Sequence, residues 1–219
     1  MEVIVLHFND PQSMPGTGES PAERLAQSCQ LSGTQAEAYL ARRRVPLAVA
    51  EAAGLRYDAD FGGRPALLAA LRDRSGEVVS LHGRYLQVVR GENKMLTFGA
   101  GGGIVQMLGG WQAEPLILVE GLFDALSLAV CGWPCVATVG RWAPWLQEVC
   151  SGRTVWLAFD AGRAGDAYAA RYAQRLGSSR VLRMLPPHHC KDWNTALVKR
   201  GSGHFSRWVR DSLSGGEQG

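Results

Sequence analysis

The stretch VWLAFDAGRAGDAYAARYAQRLG, residues 155–177, combines an apolar strand pattern, a glycine-containing turn and a helix pattern. Its opening run is continuously apolar, which is typical of a strand buried on both faces of a sheet. Asp160 ends that run, and the pattern after the turn predicts a helix that Gly177 terminates. Asp160 therefore follows a buried strand, at the edge where open α/β sheets bind their ligands.

The flanking segments repeat this alternation of strand and helix. Strand patterns occur at PLILVE (115–120), PCVATVG (134–140) and SRVLRMLP (179–186), with helix patterns at GLFDALSLAVCG (121–132) and APWLQEVCSG (143–152). Alternation at this short spacing favours a mostly parallel sheet that is covered by helices on both sides. We predict an α/β domain over residues 111–203.

The region before it has a different texture. Residues 22–55 show helical patterns and residues 56–98 show short strands, which predicts a smaller α+β subdomain over 22–110. GAGGG at 99–103 lacks the lysine of a phosphate-binding loop and is interpreted as a flexible joint. Turn-forming and polar residues predict a flexible arm at 1–21 and a flexible tail at 204–219.

Composition restricts the function classes only in part. The 219 residues carry a formal net charge of +3, which permits contact with nucleic acid without requiring it. Five cysteines with no C-x-x-C pair indicate a reduced compartment. No signal peptide or membrane-length apolar run is present, so we expect a cytoplasmic protein without a membrane partner. The run at 188–190, His-His-Cys, could bind a soft metal but is read more simply as a loop.

Acidic residues recur at the predicted strand ends. Glu120, Asp160 and Asp192 each follow a strand, and Asp124 lies one helical turn beyond Glu120. Converging carboxylates repel one another and are stabilised by a divalent cation, here Mg²⁺ or Mn²⁺, which can act in phosphoryl transfer. The alternative is that each acid caps a helix.

Four segments in this order and spacing resemble the Toprim domain of bacterial-type DNA primases and of the primase-like proteins of phages and plasmids. They are VEGLFDALSL, CVATVG, LAFDAGRAGDAYA and LPPHHCKDWNTAL. The family pattern is a Glu with an Asp four residues on, an Asp-x-Asp, and a Lys-Asp pair. Glu120 and Asp124 match the first motif, Asp160 matches the second, and Lys191 with Asp192 matches the third.

The preceding region resembles the N-terminal subdomain of the same polymerase core, on AYLARRRVPLAVAEAAGLRY, GRPALLAALRDRSGEVVSLHGRYL and KMLTFG. The resemblance assigns Arg84 and Lys94, with Lys191, to nucleotide binding, although the residues alone equally favour solvated charges at Arg84 and Lys94. It implies a core without the zinc-binding domain that makes RNA primers on single-stranded DNA from ribonucleoside triphosphates, using Mg²⁺ or Mn²⁺. A replicative helicase or another replication protein is the partner that such a core would have.

Two departures from the family pattern bear on activity. Gly162 stands where the second Asp of Asp-x-Asp is expected, and Asn194 stands where some relatives carry an acid. Loss of one carboxylate predicts weaker metal binding and slow, Mn²⁺-dependent or absent catalysis, unless Asp166 reaches inward. The alternatives are a non-catalytic Toprim module that binds nucleic acid or a replication partner, and a metal-dependent nuclease. Trp142 and Trp145 could stack on bases, but packing is favoured for both, as it is for Trp193.

Overall fold

The computed structural model describes residues 18–87, 90–177 and 179–216. Its first sheet is antiparallel, with four strands in sequential order: β1 Arg56–Phe61, β2 Arg64–Arg72, β3 Val78–Tyr85 and β4 Met95–Gly99. The turn between β2 and β3 forms because the Asp73 carboxylate accepts hydrogen bonds from the backbone N–H groups of Ser75 (2.9 Å) and Glu77 (3.0 Å). These strands belong to the subdomain that the sequence predicts as α+β.

Three short helices precede this sheet: α1 Pro21–Gln27, α2 Gln35–Arg42 and α3 Leu47–Ala52. α1 begins at a capping box in which the Ser20 hydroxyl accepts from the backbone of Glu23 and the Glu23 carboxylate accepts from the backbone of Ser20. The last residues of the flexible arm predicted for 1–21 thus belong to this helix and its cap, and residues 1–17 lie outside the described part of the chain.

The second sheet has the order β5-β7-β6-β8-β9 and is parallel except for the antiparallel edge strand β5. Its strands are β5 Val105–Met107, β6 Leu116–Val119, β7 Cys135–Ala137, β8 Thr154–Leu157 and β9 Arg180–Arg183. Its helices are α4 Leu122–Val130, α5 Leu146–Cys150, α6 Arg163–Leu176 and α7 Trp193–Gly216, and a 3₁₀ turn spans Gly110–Gln112. The predicted mostly parallel sheet with flanking helices, preceded by a smaller α+β unit, is confirmed.

The central strand β6 shows why the sheet is covered on both faces. Ile117 and Val119 pack into one hydrophobic cluster, which includes residues of α4 and α7, whereas Leu116 and Leu118 pack into a second, which includes residues of α5 and α6. All four side chains are buried. Each contributes about 1.5–3 kcal/mol relative to an exposed side chain. A continuous apolar run is therefore the pattern that this strand needs.

Two sequence-based expectations differ from the structure. The predicted flexible tail is helical through Gly216, because Phe205 and Val209 are fully buried against the core, although the helix breaks at Gly201 (φ 77°). The two ends of the predicted flexible joint at 99–103 are tightly packed: a Cβ would lie 2.5 Å from the carbonyl oxygen of Val79 at Gly99 and 2.6 Å from a methyl of Val79 at Gly103, whereas Gly101 has open space around it. Gly99 and Gly103 therefore permit close packing.

Across residues 18–87, 90–177 and 179–216, no helix combines the length and the apolar character that crossing a bilayer requires.

Candidate active site

A cavity of about 420 Å³ lies between the carboxyl ends of the parallel strands and the face of β3. It contains every residue that the sequence and the resemblance select for catalysis, metal binding or nucleotide binding. Its lining includes Arg84, Lys94, Glu120, Asp124, Asp160, Lys191 and Asp192. The two lobes thus contribute opposite walls, with the acids from the second sheet and its helices and most of the cations from the first sheet and α2.

Arg183 fixes the turn that carries Asp160. Its guanidinium donates to the backbone carbonyls of Leu157 (3.0 Å), Phe159 (2.8 Å) and Asp160 (2.6 Å). Gly165 allows α6 to approach the same turn, because a Cβ there would lie 1.9 Å from the carbonyl oxygen of Asp160. The carboxylate of Asp160 is therefore placed by a supported backbone and not by a free loop.

Glu120 and Asp160 form an acidic pair with little compensating charge. Burial raises the pKa of Glu120, and the negative charge of Asp160 raises it further. Burial also raises the pKa of Asp160, as does the charge of Asp192. Lys191 has its Nζ 3.9 Å from Oδ2 of Asp160, and its side chain is 77% exposed. A cation bound beside these two acids would relieve their repulsion.

Asp124 and Asp192 hold the start of α7. Oδ1 of Asp124 accepts hydrogen bonds from the backbone N–H groups of Trp193 (2.9 Å) and Asn194 (3.2 Å). Burial, together with the charges of Asp160 and Asp192, raises the pKa of Asp124 to about 8. Oδ1 of Asp192 accepts from the backbone N–H of Thr195 at 2.6 Å, which is a helix cap. Both acids therefore accept hydrogen bonds from backbone amides at the start of α7, as the helix-capping alternative predicts.

Glu120 and Asp160 fit a divalent cation only if other ligands, such as water and phosphate oxygens, complete its coordination. In the part of the chain that the structure describes, no group of three or more His, Cys, Asp or Glu side chains is arranged to hold a metal, and this includes the run at 188–190. Glu120 and Asp160 both line the cavity. Mg²⁺ is often bound by one or two carboxylates with water and phosphate oxygens. The pair fits that kind of site.

Gly162 marks the departure from the family pattern, and the structure gives it a backbone role. Its φ of 94° and ψ of 178° belong to a region that is essentially restricted to glycine, at the residue that precedes α6. Asp166 does not replace the missing acid. Its carboxylate lies 3.2 Å from Nη2 of Arg183, is 60% exposed and lines a different pocket.

Tyr39 organises the basic wall of the cavity, which we define as Arg43, Arg84 and Lys94. The Tyr39 hydroxyl accepts hydrogen bonds from Nε of Arg84 and Nη2 of Arg43, both at 3.2 Å. Burial alone would raise the pKa of Tyr39, but the hydrogen bonds and charges of Arg84 and Arg43 lower it overall. Nη1 of Arg43 also donates to Oδ1 of Asn194 at 3.0 Å, which links α2 to α7. Two guanidinium groups thus line the same cavity as the acids.

Arg43, His82 and Phe123 are among the cavity residues that the sequence did not predict. His82 is buried with Nδ1 2.9 Å from the Thr97 hydroxyl, and burial lowers its pKa to about 3. The arginine run at 42–44 was the available signal for Arg43, whereas nothing in the local pattern distinguished His82.

The three tryptophans that the sequence singled out pack against protein. Trp142 meets the ring of Tyr172 at 5.1 Å, and Trp145 donates to the carbonyl of Gly102 at 2.7 Å. Trp193 is fully buried and donates to the carbonyl of Ala158 at 2.7 Å. None of the three lines the cavity that holds the acidic pair.

Comparison with known proteins agrees with this geometry. Residues 117–197 match the Toprim-like family Toprim_2, and residues 18–100 match a domain of unknown function (DUF7146). No curated protein matches the chain. Residues 117–197 therefore form a Toprim-like domain.

Solved structures extend the likeness to both lobes. The catalytic core of E. coli primase is 21% identical with a TM-score of 0.63, and the match covers 84% of this chain and 75% of that one. The primase fragment of the bacteriophage T7 primase-helicase is 21% identical with a TM-score of 0.58, covering 80% and 72%. A DnaG primase catalytic domain bound to single-stranded DNA is 20% identical with a TM-score of 0.67, covering 88% and 77%. The described chain therefore has the fold of a primase catalytic core.

Proposed function

We propose that this protein is a primase-type nucleotidyltransferase, which binds single-stranded DNA and ribonucleoside triphosphates in the cavity and joins ribonucleotides into short primers. The observation that carries this proposal is the meeting of an acidic pair, Glu120 and Asp160, with a basic wall that includes Arg84 and Lys94. A polyphosphate needs cations around its oxygens, and phosphoryl transfer needs charge compensation at the reacting phosphate.

The proposed reaction is attack of a primer 3′-hydroxyl on the α-phosphate of a nucleotide, with pyrophosphate leaving. Arg84, Lys94 and Arg43 bind phosphate oxygens, and Tyr39 keeps two of these guanidinium groups in place. Glu120 and Asp160 would hold Mg²⁺ or Mn²⁺, which when bound offsets negative charge on the phosphates. No side chain acts as a nucleophile, so the residues work by position and charge.

One observation favours a second candidate, a non-catalytic Toprim module that binds nucleic acid or a replication partner. Gly162 supplies no carboxylate, and its backbone conformation is one that Asp adopts only with strain. The metal would then depend on two acids, which lowers affinity relative to a site with three. In this candidate the basic wall still binds a nucleic-acid strand, whereas the acids have no catalytic role.

The test is primer synthesis on single-stranded DNA with ribonucleotides and either Mg²⁺ or Mn²⁺. Glu120→Gln and Asp160→Asn each remove a charge with little change of shape, and we expect each to lower the rate by about 100-fold or more. Asp166→Asn is the matched control, because Asp166 lies outside the cavity and should leave the rate within about threefold.

The outcomes separate the two candidates. Synthesis by the wild type that is lost in both cavity variants and retained in the control supports the nucleotidyltransferase. Absence of synthesis under both metals, with single-stranded DNA still bound, supports the binding module. Synthesis that survives both substitutions would show that the acidic pair does not serve the reaction.

A further inference from the structure

We propose that the exposed cations of α7 bind the phosphate backbone of a single-stranded nucleic acid that continues out of the cavity. Lys199, Arg200, Arg207 and Arg210 form this surface, which we call the α7 basic face. All four residues are exposed. The inference rests on the proposed function only for the identity of the strand, because the surface lies outside the cavity and has its own contacts.

The charge on this helix is unbalanced. Residues 193–216 hold these four cations and one acid, Asp211, an excess that equals the formal net charge of +3 for the whole chain. Within residues 18–87, 90–177 and 179–216, none of the four lies within 4.0 Å of a carboxylate oxygen. The face therefore presents positive potential that a polyanion would neutralise.

The loop between β9 and α7 brings the two halves of the face together across the break at Gly201. Before the break, Lys199 donates to the carbonyl of His189 at 3.5 Å, and Arg200 donates to the carbonyl of His188 at 3.3 Å. After the break, Nε1 of Trp208 donates to the carbonyl of Leu185 at 3.0 Å. One loop thus contacts both helical segments, so their cations border a common surface.

The same loop connects this surface with the cavity. It leads directly into Lys191 and Asp192, which line the cavity wall. The side chain of Lys191 is 77% exposed at that rim. A strand that leaves the cavity past Lys191 would next meet the carbonyl-anchored cations Lys199 and Arg200, and then Arg207 and Arg210.

Apolar and aromatic groups between the cations favour a single strand over a duplex. Leu185 is 47% exposed, and the rings of His188 and Trp208 meet edge to face with centroids 5.8 Å apart. Unpaired bases stack on such groups, whereas the bases of a duplex are not accessible to them. Cations beside an exposed apolar and aromatic surface are the combination that a single strand requires.

The experiment measures the affinity for a fluorescent oligothymidylate of about 20 nucleotides at several salt concentrations between about 50 and 200 mM. The variant is the full chain with Arg207→Gln and Arg210→Gln. Each lost phosphate contact reduces the slope of log affinity against log salt by about 0.7 for a single strand. We expect a slope shallower by about 1.4 and an affinity about 5- to 30-fold lower at the lowest salt.

Two controls separate a local contact from general charge. Arg171→Gln with Arg175→Gln removes the same number of exposed arginines from α6, and it should leave the slope unchanged. Arg207→Lys with Arg210→Lys keeps the charge and should retain the wild-type slope. Circular dichroism and thermal unfolding verify that each variant is folded.

The inference is overturned if the α7 variant keeps the wild-type slope, if the α6 control loses as much, or if the wild type binds no oligothymidylate at about 50 mM salt. These results are distinct from failure of the proposed function. That failure would appear as primer synthesis that survives Glu120→Gln, a substitution which leaves the salt slope of the α7 basic face untouched.

Discussion

Substitutions of Gly162 test whether position 162 needs glycine for its backbone conformation or differs from the family pattern only by lacking a carboxylate. At φ 94° and ψ 178° this residue occupies a region that side chains with a Cβ rarely adopt, and yet a Cβ built there would meet nothing within 4 Å. Steric collision therefore contributes nothing, and Gly162→Ala isolates the backbone strain. We expect this substitution to lower the free energy of unfolding by about 1–3 kcal/mol.

The matching substitution to Asp adds one favourable interaction. A negative charge at the residue that precedes α6 interacts with the helix dipole by about 0.3–1 kcal/mol. Gly162→Asp should therefore be less destabilised than Gly162→Ala by that amount. For a chain of this size, the alanine variant should unfold at a temperature about 2–12 °C below that of the wild type.

Thermal and urea unfolding of both variants measure these differences. The control is Gly203→Ala, because Gly203 is helical, has no positive φ and also has open space around its Cβ. This control should be stabilised by about 0.5–1 kcal/mol. A Gly162→Ala variant within about 0.5 kcal/mol of wild type would refute the strain argument. So would a Gly162→Asp variant that synthesises primers faster without loss of stability.

Two further substitutions and one truncation probe the cavity wall and the C-terminal helix. Tyr39→Phe removes the hydroxyl shared by two arginines, so the KM for nucleotide should rise about 3- to 10-fold with kcat nearly unchanged, and an unchanged KM in steady-state kinetics would contradict this role. His82 has a folded pKa near 3, so the unfolded chain alone takes up its proton as pH falls through about 6.5. Urea unfolding should show that the wild type loses about 2 kcal/mol more than His82→Gln between pH 7 and pH 5, and equal losses would oppose this assignment. Removal of residues 204–219 takes Phe205 and Val209 from the core and should cost about 3–6 kcal/mol in chemical unfolding, whereas wild-type stability would mean that the helix does not pack as described.

Local patterns predicted the parallel sheet and the acids at its edge. The apolar run of β6 and the helix pattern of α6 are properties of consecutive residues, so they can be read without knowledge of distant contacts. Glu120 and Asp160 come together because the carboxyl ends of neighbouring parallel strands meet at one edge. The resemblance to primases added Arg84 and Lys94, which line the same cavity as the acids.

Contacts between distant residues account for what the sequence did not predict. Arg43 and Asn194 are 151 positions apart, and no local pattern relates them. The glycine and serine content of the C-terminal segment suggested disorder, whereas the spacing of Phe205 and Val209 places both on the core side of a helix. GAGGG suggested flexibility, because the local sequence does not show that Gly103 packs against Val79 of β3.

The pairing of Arg43 with Asn194 has a consequence for how the two lobes keep their relative position. The amide accepts from the guanidinium at 3.0 Å, while its Nδ2 donates to the Arg43 carbonyl and to the Ser127 hydroxyl, each at 3.0 Å. An acid at position 194 would make this junction an ion pair, which is lost when the acid is protonated. The amide leaves a junction that does not depend on pH in this way, and it leaves the positive charge of Arg43 uncancelled in the cavity lining.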